Sequence, residues 1–293
     1  SLSCSGVLSM LPFPIIDTHL HIWDTQRLSY SWLNDVPKLN RSFGLDDFNK
    51  ATGDIDIEQM VFVQCEVDSR QYLDEANWVA EQAKSDPRLS GLVLWAPLEN
   101  GVAAASSLEK LSGLPNLKGI RRIIQFEEDM EFCLQPKFIE GVNLLADYDL
   151  SFDICIDHRH LANTITFARQ CPNVPMVLDH IGKPAIAEGD MGLWAKQIVE
   201  LASMEHVWLK MSGVATEADH ASWTKEQLKP YINIALDAFG AERSMFGGDW
   251  PVATQAINYS EWISTLLWAL DNPSEKELRQ IFRNTAKTFY KLK

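Results

Sequence analysis

The chain has 293 residues, 46% of them hydrophobic, and a formal net charge of −14. It can bury a large core, either as two average domains or as one α/β barrel of about 250 residues. The acidic balance disfavours nucleic acid and anionic membrane surfaces as partners, while a small ligand, even an anionic one, stays open through local arginines.

Five cysteines (Cys4, Cys65, Cys133, Cys155 and Cys171) are scattered without a Cys-x-x-Cys pair. That usage fits reduced thiols in a cytoplasmic protein. No apolar run approaches the roughly 20 residues that span a bilayer, so a soluble cytoplasmic protein is expected. Residues 1–9 lack the basic start of a secretory leader and read as a cloning scar or disordered upstream extension. One domain is expected over residues 10–293.

Strand-like runs then follow at 15–18, 60–64, 92–95, 117–123, 151–156, 174–178, 207–211 and 244–247. Between them, apolar residues recur at helical spacing over 72–84, 138–146, 165–171, 194–204 and 231–239. Gly and Pro mark the joints, as in Asp86-Pro87, Leu114-Pro115, Cys171-Pro172 and Val174-Pro175. Eight strands alternating with helices, with no break in composition, predict a single (β/α)8 barrel of the α/β class. An open doubly wound sheet would usually carry a Gly-rich turn after its first strand. Here that turn reads His19-Leu20-His21-Ile22-Trp23. The first connection, 23–54, is long and rich in Trp, Tyr, Asn, Asp and Pro, and is expected to form a lid or substrate wall. At the other end, 274–290 reads as an extra terminal helix, with Ser274 as N-cap and Glu277 three residues on, the capping-box pattern.

Working groups in such a barrel sit at the C-terminal ends of strands. His19 and His21 follow the first strand and, being two apart, share a face, so they can grip a metal or a substrate oxygen together. Asp179-His180 ends the sixth strand and Asp249 follows the eighth. Gln64, Glu66, Trp95, Asp157 and Ser212 also fall at strand ends. Asp249, between Gly248 and Trp250-Pro251, is the best candidate to take a proton from water and return it to a leaving group. His180 can donate to a substrate oxygen or bind a metal, and Asp179 reads as a partner that orients a ring. Arg121 and Arg122 end the fourth strand, and at least one should face the mouth to bind a carboxylate or polyol. His158, Trp32 and Trp250 are further candidates for substrate contact, whereas His206 and His220 read as surface. The histidines and Asp249 also suit one zinc ion.

Four motifs carry a resemblance: Ile16-Asp17-Thr18-His19-Leu20-His21-Ile22-Trp23-Asp24, Leu178-Asp179-His180-Ile181-Gly182-Lys183-Pro184, Lys210-Met211-Ser212-Gly213 and Met245-Phe246-Gly247-Gly248-Asp249-Trp250-Pro251-Val252. Together they resemble the amidohydrolase superfamily, and within it the amidohydrolase-2 branch of lactonases and aromatic-acid decarboxylases. Tyr30-Ser31-Trp32-Leu33-Asn34-Asp35-Val36, Gly119-Ile120-Arg121-Arg122 and Thr216-Glu217-Ala218-Asp219 resemble its L-fuconolactonase and L-rhamnonolactonase group. The resemblance implies a barrel with His19, His21, His180 and Asp249 around the reacting atom. It departs at Gly248, where relatives usually carry Ser. The strand-four lysine of binuclear members is also missing, since Lys118 falls near that strand's start. The expected activity is hydrolysis of a small sugar-acid lactone by water activated at Asp249, with the three histidines polarising the carbonyl. No metal is expected to be obligatory, although a single zinc fits. The alternative is a zinc-dependent decarboxylase of a small unsaturated or aromatic acid.

Overall fold

The computed structural model describes Gly6 and residues 11–293, so the expectation for 1–9 lies, Gly6 apart, outside the described residues. Eight strands follow in chain order: β1 (Ile15–Leu20), β2 (Ile57–Val63), β3 (Leu89–Leu94), β4 (Leu117–Arg121), β5 (Ser151–Ile154), β6 (Met176–Leu178), β7 (Val207–Met211) and β8 (Ser244–Phe246). Each pairs in parallel with the next. The ring closes where Leu20 bridges Trp250. There His21 N donates to Trp250 O and Asp249 N to His19 O, both at 2.9 Å. The closure therefore runs through the two strand ends that carry the site candidates.

Helices pack around this ring: α1 (Leu45–Thr52), α2 (Tyr72–Ser85), α3 (Ala105–Ser112), α4 (Pro136–Asn143), α5 (Leu161–Arg169), α6 (Trp194–Ala202), α7 (Lys225–Phe239) and α8 (Tyr259–Ala269). Two short ones, α9 (Glu275–Arg279) and α10 (Thr285–Tyr290), flank a π-helical turn, Gln280–Asn284. Alternation along each strand splits the core in two. On β5, Phe152 points outward onto Phe138 and Phe167, with ring centroids 6.1 and 5.8 Å away. Inside the barrel, Ile16, Val61, Val63, Val93, Val177 and Met245 form a separate apolar cluster. Ala286, Phe289, Tyr290 and Leu292 join it from the C-terminal end, so α10 and the residues after it floor the barrel. Among the described residues no helix is long and apolar enough to cross a membrane.

The predicted barrel is present, with differences at element ends. The helix expected at 231–239 starts at Lys225, capped by Thr224, which accepts Gln227 N at 3.2 Å. Pro230 lies inside α7; it removes one backbone hydrogen bond and hid the helix start from the periodicity. The terminal helix breaks into α9, the π-turn and α10, while the predicted Ser274 cap forms, with Glu277 N donating to Ser274 Oγ at 3.1 Å. Helices α1, α3 and α8 were not anticipated.

Candidate active site

The C-terminal ends of the strands open onto a cleft of about 980 Å³. Its wall on one side is the long first connection, which contributes Ser29, Ser31, Trp32, Asp35 and Val36. That segment is held down by Trp23, which pairs with Phe43 as an antiparallel bridge and donates Nε1–H to Arg41 O at 2.7 Å. It is a packed wall built from a loop.

His21, His180 and Asp249 line the bottom of the cleft, and His19 lies directly behind them, fully buried. The Nε2 atoms of His19 and His21 are 3.1 Å apart. Asp249 Oδ1 faces all three imidazoles, 3.6 Å from His19 Nε2, 3.4 Å from His21 Nε2 and 3.8 Å from His180 Nε2. All four residues are almost wholly buried. Asp17 explains how β1 and β8 are held in register. Its carboxylate accepts His19 N and Gly248 N, each at 2.9 Å, and the Tyr259 hydroxyl at 2.8 Å. Backbone at the site is strained: His180 (φ 56°), Ile181 (φ 48°), Lys183 (φ 48°), Asp249 (φ 52°) and Glu66 (φ 50°) are all left-handed without being glycine. Such conformations cluster where a fold holds functional groups in place. Gly213, at φ +58°, is required by sterics, because a Cβ there would come 2.7 Å from His180 Nδ1.

Burial sets the charges. It lowers His19 well below the ordinary imidazole value, helped by Lys210, and it also lowers His21. His180 falls to about 3 by burial and by the cations Lys183, Arg121 and Lys210, against the pull of Asp249. Burial would raise Asp249, but His180 and His21 outweigh it and hold the carboxyl below its usual range. The site at neutral pH is therefore one carboxylate facing three neutral imidazoles. His21 donates Nδ1–H to Val63 O at 2.7 Å, and His180 Nδ1 is 2.8 Å from Ser212 Oγ. Ligand atoms of His19, His180 and Asp249 lie within 4.8 Å of one another, a spacing that one divalent ion fits.

The remaining candidates divide. Arg121 lines the cleft, donating to Gln64 O at 2.9 Å and to Asp179 Oδ2 at 3.4 Å. Its Nε is buried with no partner among the described residues. Arg122 turns the other way, clamped by Glu99 (2.7 Å) and Glu127 (2.6 Å), and does not line the cleft. Trp32 lines it, with Nε1–H on Cys65 O at 2.9 Å. Trp250 is instead buried against Phe43 and Phe48, and His158 stands outside the lining. His220, read as surface, is exposed but sits on the rim, donating to Thr216 O. Lys118 reaches Lys291 O at the barrel floor, far from the histidines' end. Sequence reasoning missed three residues beneath the site: Asp153, Lys210 and Tyr290. Lys210 Nζ is 2.6 Å from Asp153 Oδ2 and 3.1 Å from His19 Nδ1, and the Tyr290 hydroxyl donates to Asp153 Oδ1 at 2.7 Å. A charge of each sign at inward positions of apolar strands was the available signal.

An eight-stranded parallel barrel with a His-x-His at β1, a His after β6 and an Asp after β8 defines a hydrolase-type centre built on loop-proximal strand ends. The chain belongs to the amidohydrolase family, whose model matches residues 16–292. It is 31% identical over 289 residues to an L-fucono-1,5-lactonase of Burkholderia multivorans, covering 94% of this chain and 96% of that one. An L-fucono-1,5-lactonase of Burkholderia ambifaria is 29% identical over 255 residues, 86% of each chain. Among solved structures, a zinc-bound amidohydrolase from Burkholderia multivorans superposes with a TM-score of 0.86 at 31% identity, over 96% of this chain and 100% of that one.

Proposed function

We propose that this enzyme hydrolyses a small aldonolactone, the intramolecular ester of a sugar acid, to its open hydroxy acid. The observation that carries the reading is the Asp249 carboxylate held 3.4–3.8 Å from the Nε2 atoms of three imidazoles at the bottom of the cleft. Likeness to two sugar lactonases supports the substrate class.

Water bound beside Asp249 Oδ1 loses its proton to that carboxylate as it attacks the lactone carbonyl. Negative charge then grows on the carbonyl oxygen, where the Nε2 atoms of His19 and His180 can donate. Each good donor there is worth roughly 3 kcal/mol. His21 works differently from the sequence expectation. Its Nδ1–H is committed to Val63 O, so its neutral ring presents a lone pair at Nε2; that lone pair accepts from His19 Nε2 at 3.1 Å until the arriving water takes it and the lactone carbonyl takes the His19 donor. Protonated Asp249 returns its proton to the departing ring oxygen. Arg121, which lines the cleft, and the wall around Trp32 bind the hydroxyls.

His19, His180 and Asp249, with His21 adjacent, are the residues that would hold a zinc ion. Such an ion, when bound, supplies Lewis-acid polarisation of a carbonyl and a more acidic water. A panel of aldonolactones, followed by pH indicator before and after exhaustive chelation, tests the reading. Turnover of one or more lactones, with kcat nearly unchanged after chelation, is expected. Loss of turnover on chelation with recovery by stoichiometric zinc overturns the metal-independent mechanism, and release of carbon dioxide from an unsaturated acid with no lactone turned over overturns the lactonase reading.

A further inference from the structure

Beneath the catalytic histidines lies a second group of donors, His19, Asp153 and Asp179, whose ligand atoms also lie within 4.8 Å of one another. All three are fully buried. A set spaced in this way calls for a cation, and the chain supplies one from β7. Lys210 Nζ stands 2.6 Å from Asp153 Oδ2, 3.1 Å from His19 Nδ1 and 3.7 Å from Asp179 Oδ1. Tyr290 reaches up from the barrel floor and donates to Asp153 Oδ1 at 2.7 Å, which fixes the carboxylate that anchors the ammonium.

We propose that Lys210 is a positioning residue for the reaction: its ammonium donates to His19 Nδ1, which puts the His19 proton on Nε2 and makes that atom a hydrogen-bond donor in the cleft rather than a metal ligand. An ammonium has three donors and no acceptor, so the ring nitrogen facing it must offer its lone pair. A neutral imidazole carries one proton, which then sits on the other nitrogen. Histidines that ligate a metal through Nε2 show the opposite arrangement, with Nδ1–H donating to a carbonyl or carboxylate. His21 has that arrangement, through Val63 O; His19 does not. The His19–His21 contact agrees with this assignment, since one Nε2–H pointing at one Nε2 lone pair accounts for a 3.1 Å separation. Charge in the cluster is consistent too. Asp153 is the nearer carboxylate, with Lys210 Nζ 2.6 Å from its Oδ2 against 3.7 Å from Asp179 Oδ1, so it is the counter-ion of the ammonium. Zinc and the Nε2 proton thus compete for one atom, and Lys210 weights the outcome towards the proton. The carbonyl-donor role of that proton rests on the lactonase reading; its position does not.

The decisive measurement is made on the wild-type chain. Metal-free protein labelled with ¹⁵N-histidine is recorded by long-range proton–nitrogen correlation, with His19 assigned by the signals lost in His19→Gln. His19 with Nε2 protonated and Nδ1 bare supports the assignment; a proton on Nδ1 overturns it. Titration with zinc chloride alone gives a second readout. Lys210→Met should bind zinc at least about tenfold more tightly than wild type, the scale on which partners of ligating histidines act; equal affinity overturns the proposal. Because that variant leaves Asp153 buried without its counter-ion, Asp153→Asn/Lys210→Met is measured alongside it, with both charges removed together. Kinetically, either folded variant should lose about 100-fold in kcat with KM little changed, the signature of a donor used in the transition state. A raised KM with intact kcat overturns the positioning role. If His19 carries its proton on Nε2 and no lactone is turned over, the Lys210 assignment is upheld and only the lactonase reading falls.

Discussion

At the scale of single residues, Asp249 and Arg121 separate chemistry from binding. Asp249→Asn keeps the shape of the side chain but cannot accept the water's proton. It should fold normally and retain less than about a tenth of wild-type turnover, since a positioned base typically contributes 10²–10⁴-fold. A variant that keeps more than that removes Asp249 from the role of base. Arg121→Met should raise KM strongly with a smaller effect on kcat, because the role proposed for the arginine is to hold substrate equally before and during reaction. Position 248 offers a steric test. A Cβ on Gly248 would lie 2.6 Å from both Asp17 Oδ2 and Tyr259 Cε2. Gly248→Ser should therefore destabilise by about 1–3 kcal/mol, as overpacking does, and should disturb the Asp17 clamp between β1 and β8. Denaturant unfolding of the variant against wild type gives the number.

Among the elements, α2 carries an unusual buried acid. Glu75 Oε2 accepts Cys65 N at 3.0 Å directly under the cleft wall, and burial raises the carboxyl from its ordinary 4.5 to about 8. The folded chain therefore keeps a proton that the unfolded chain releases near 4.5. This contribution to stability is full below that value and is lost as pH rises through about 8, at no more than about 1.4 kcal/mol per pH unit. Glu75→Gln should remove that slope, which unfolding curves at pH 5 and pH 8 would reveal; an unchanged slope assigns it to another group. Element scale is also where the sequence was most legible. Strand positions followed from apolar runs, and the residues that converge at the candidate site were legible as polar residues placed where those runs end. His19, His21, His180 and Asp249 could be found because each interrupts a pattern at a strand terminus. Lys210 and Asp153 were harder to read, since their meaning depends on two strands, β5 and β7, facing across the barrel. The direction of Arg122 was also unreadable, because Glu99 and Glu127 reach it only in three dimensions.

For the whole molecule, the barrel has two kinds of interior. An apolar lower layer of Ile16, Val61, Val63, Val93, Val177 and Met245 rests on the α10 floor. Above it lies the polar layer of Asp153, Asp179, Lys210 and Arg121, with His19, His21 and His180 on top. Tyr290 crosses from one layer to the other. Tyr290→Phe should cost about 2 kcal/mol, the worth of a hydrogen bond to a charged group. Ending the chain after Asn284 should do far more, lowering the unfolding temperature and exposing the interior to a hydrophobic dye. A truncated chain that melts like the full one would show that the floor contributes little.

The floor also has a consequence for the order of events during synthesis. Tyr290 meets Asp153 across 137 positions of chain, and the ring is closed by Leu20 and Trp250, which are farther apart still. Every strand can emerge from the ribosome, yet the interior stays open at its base until residues 286–292 have been made. Contacts of such long range form late and slowly. The ring can close only once Trp250 is made and be stoppered only once residues 286–292 follow, so until then its buried charges remain within reach of water.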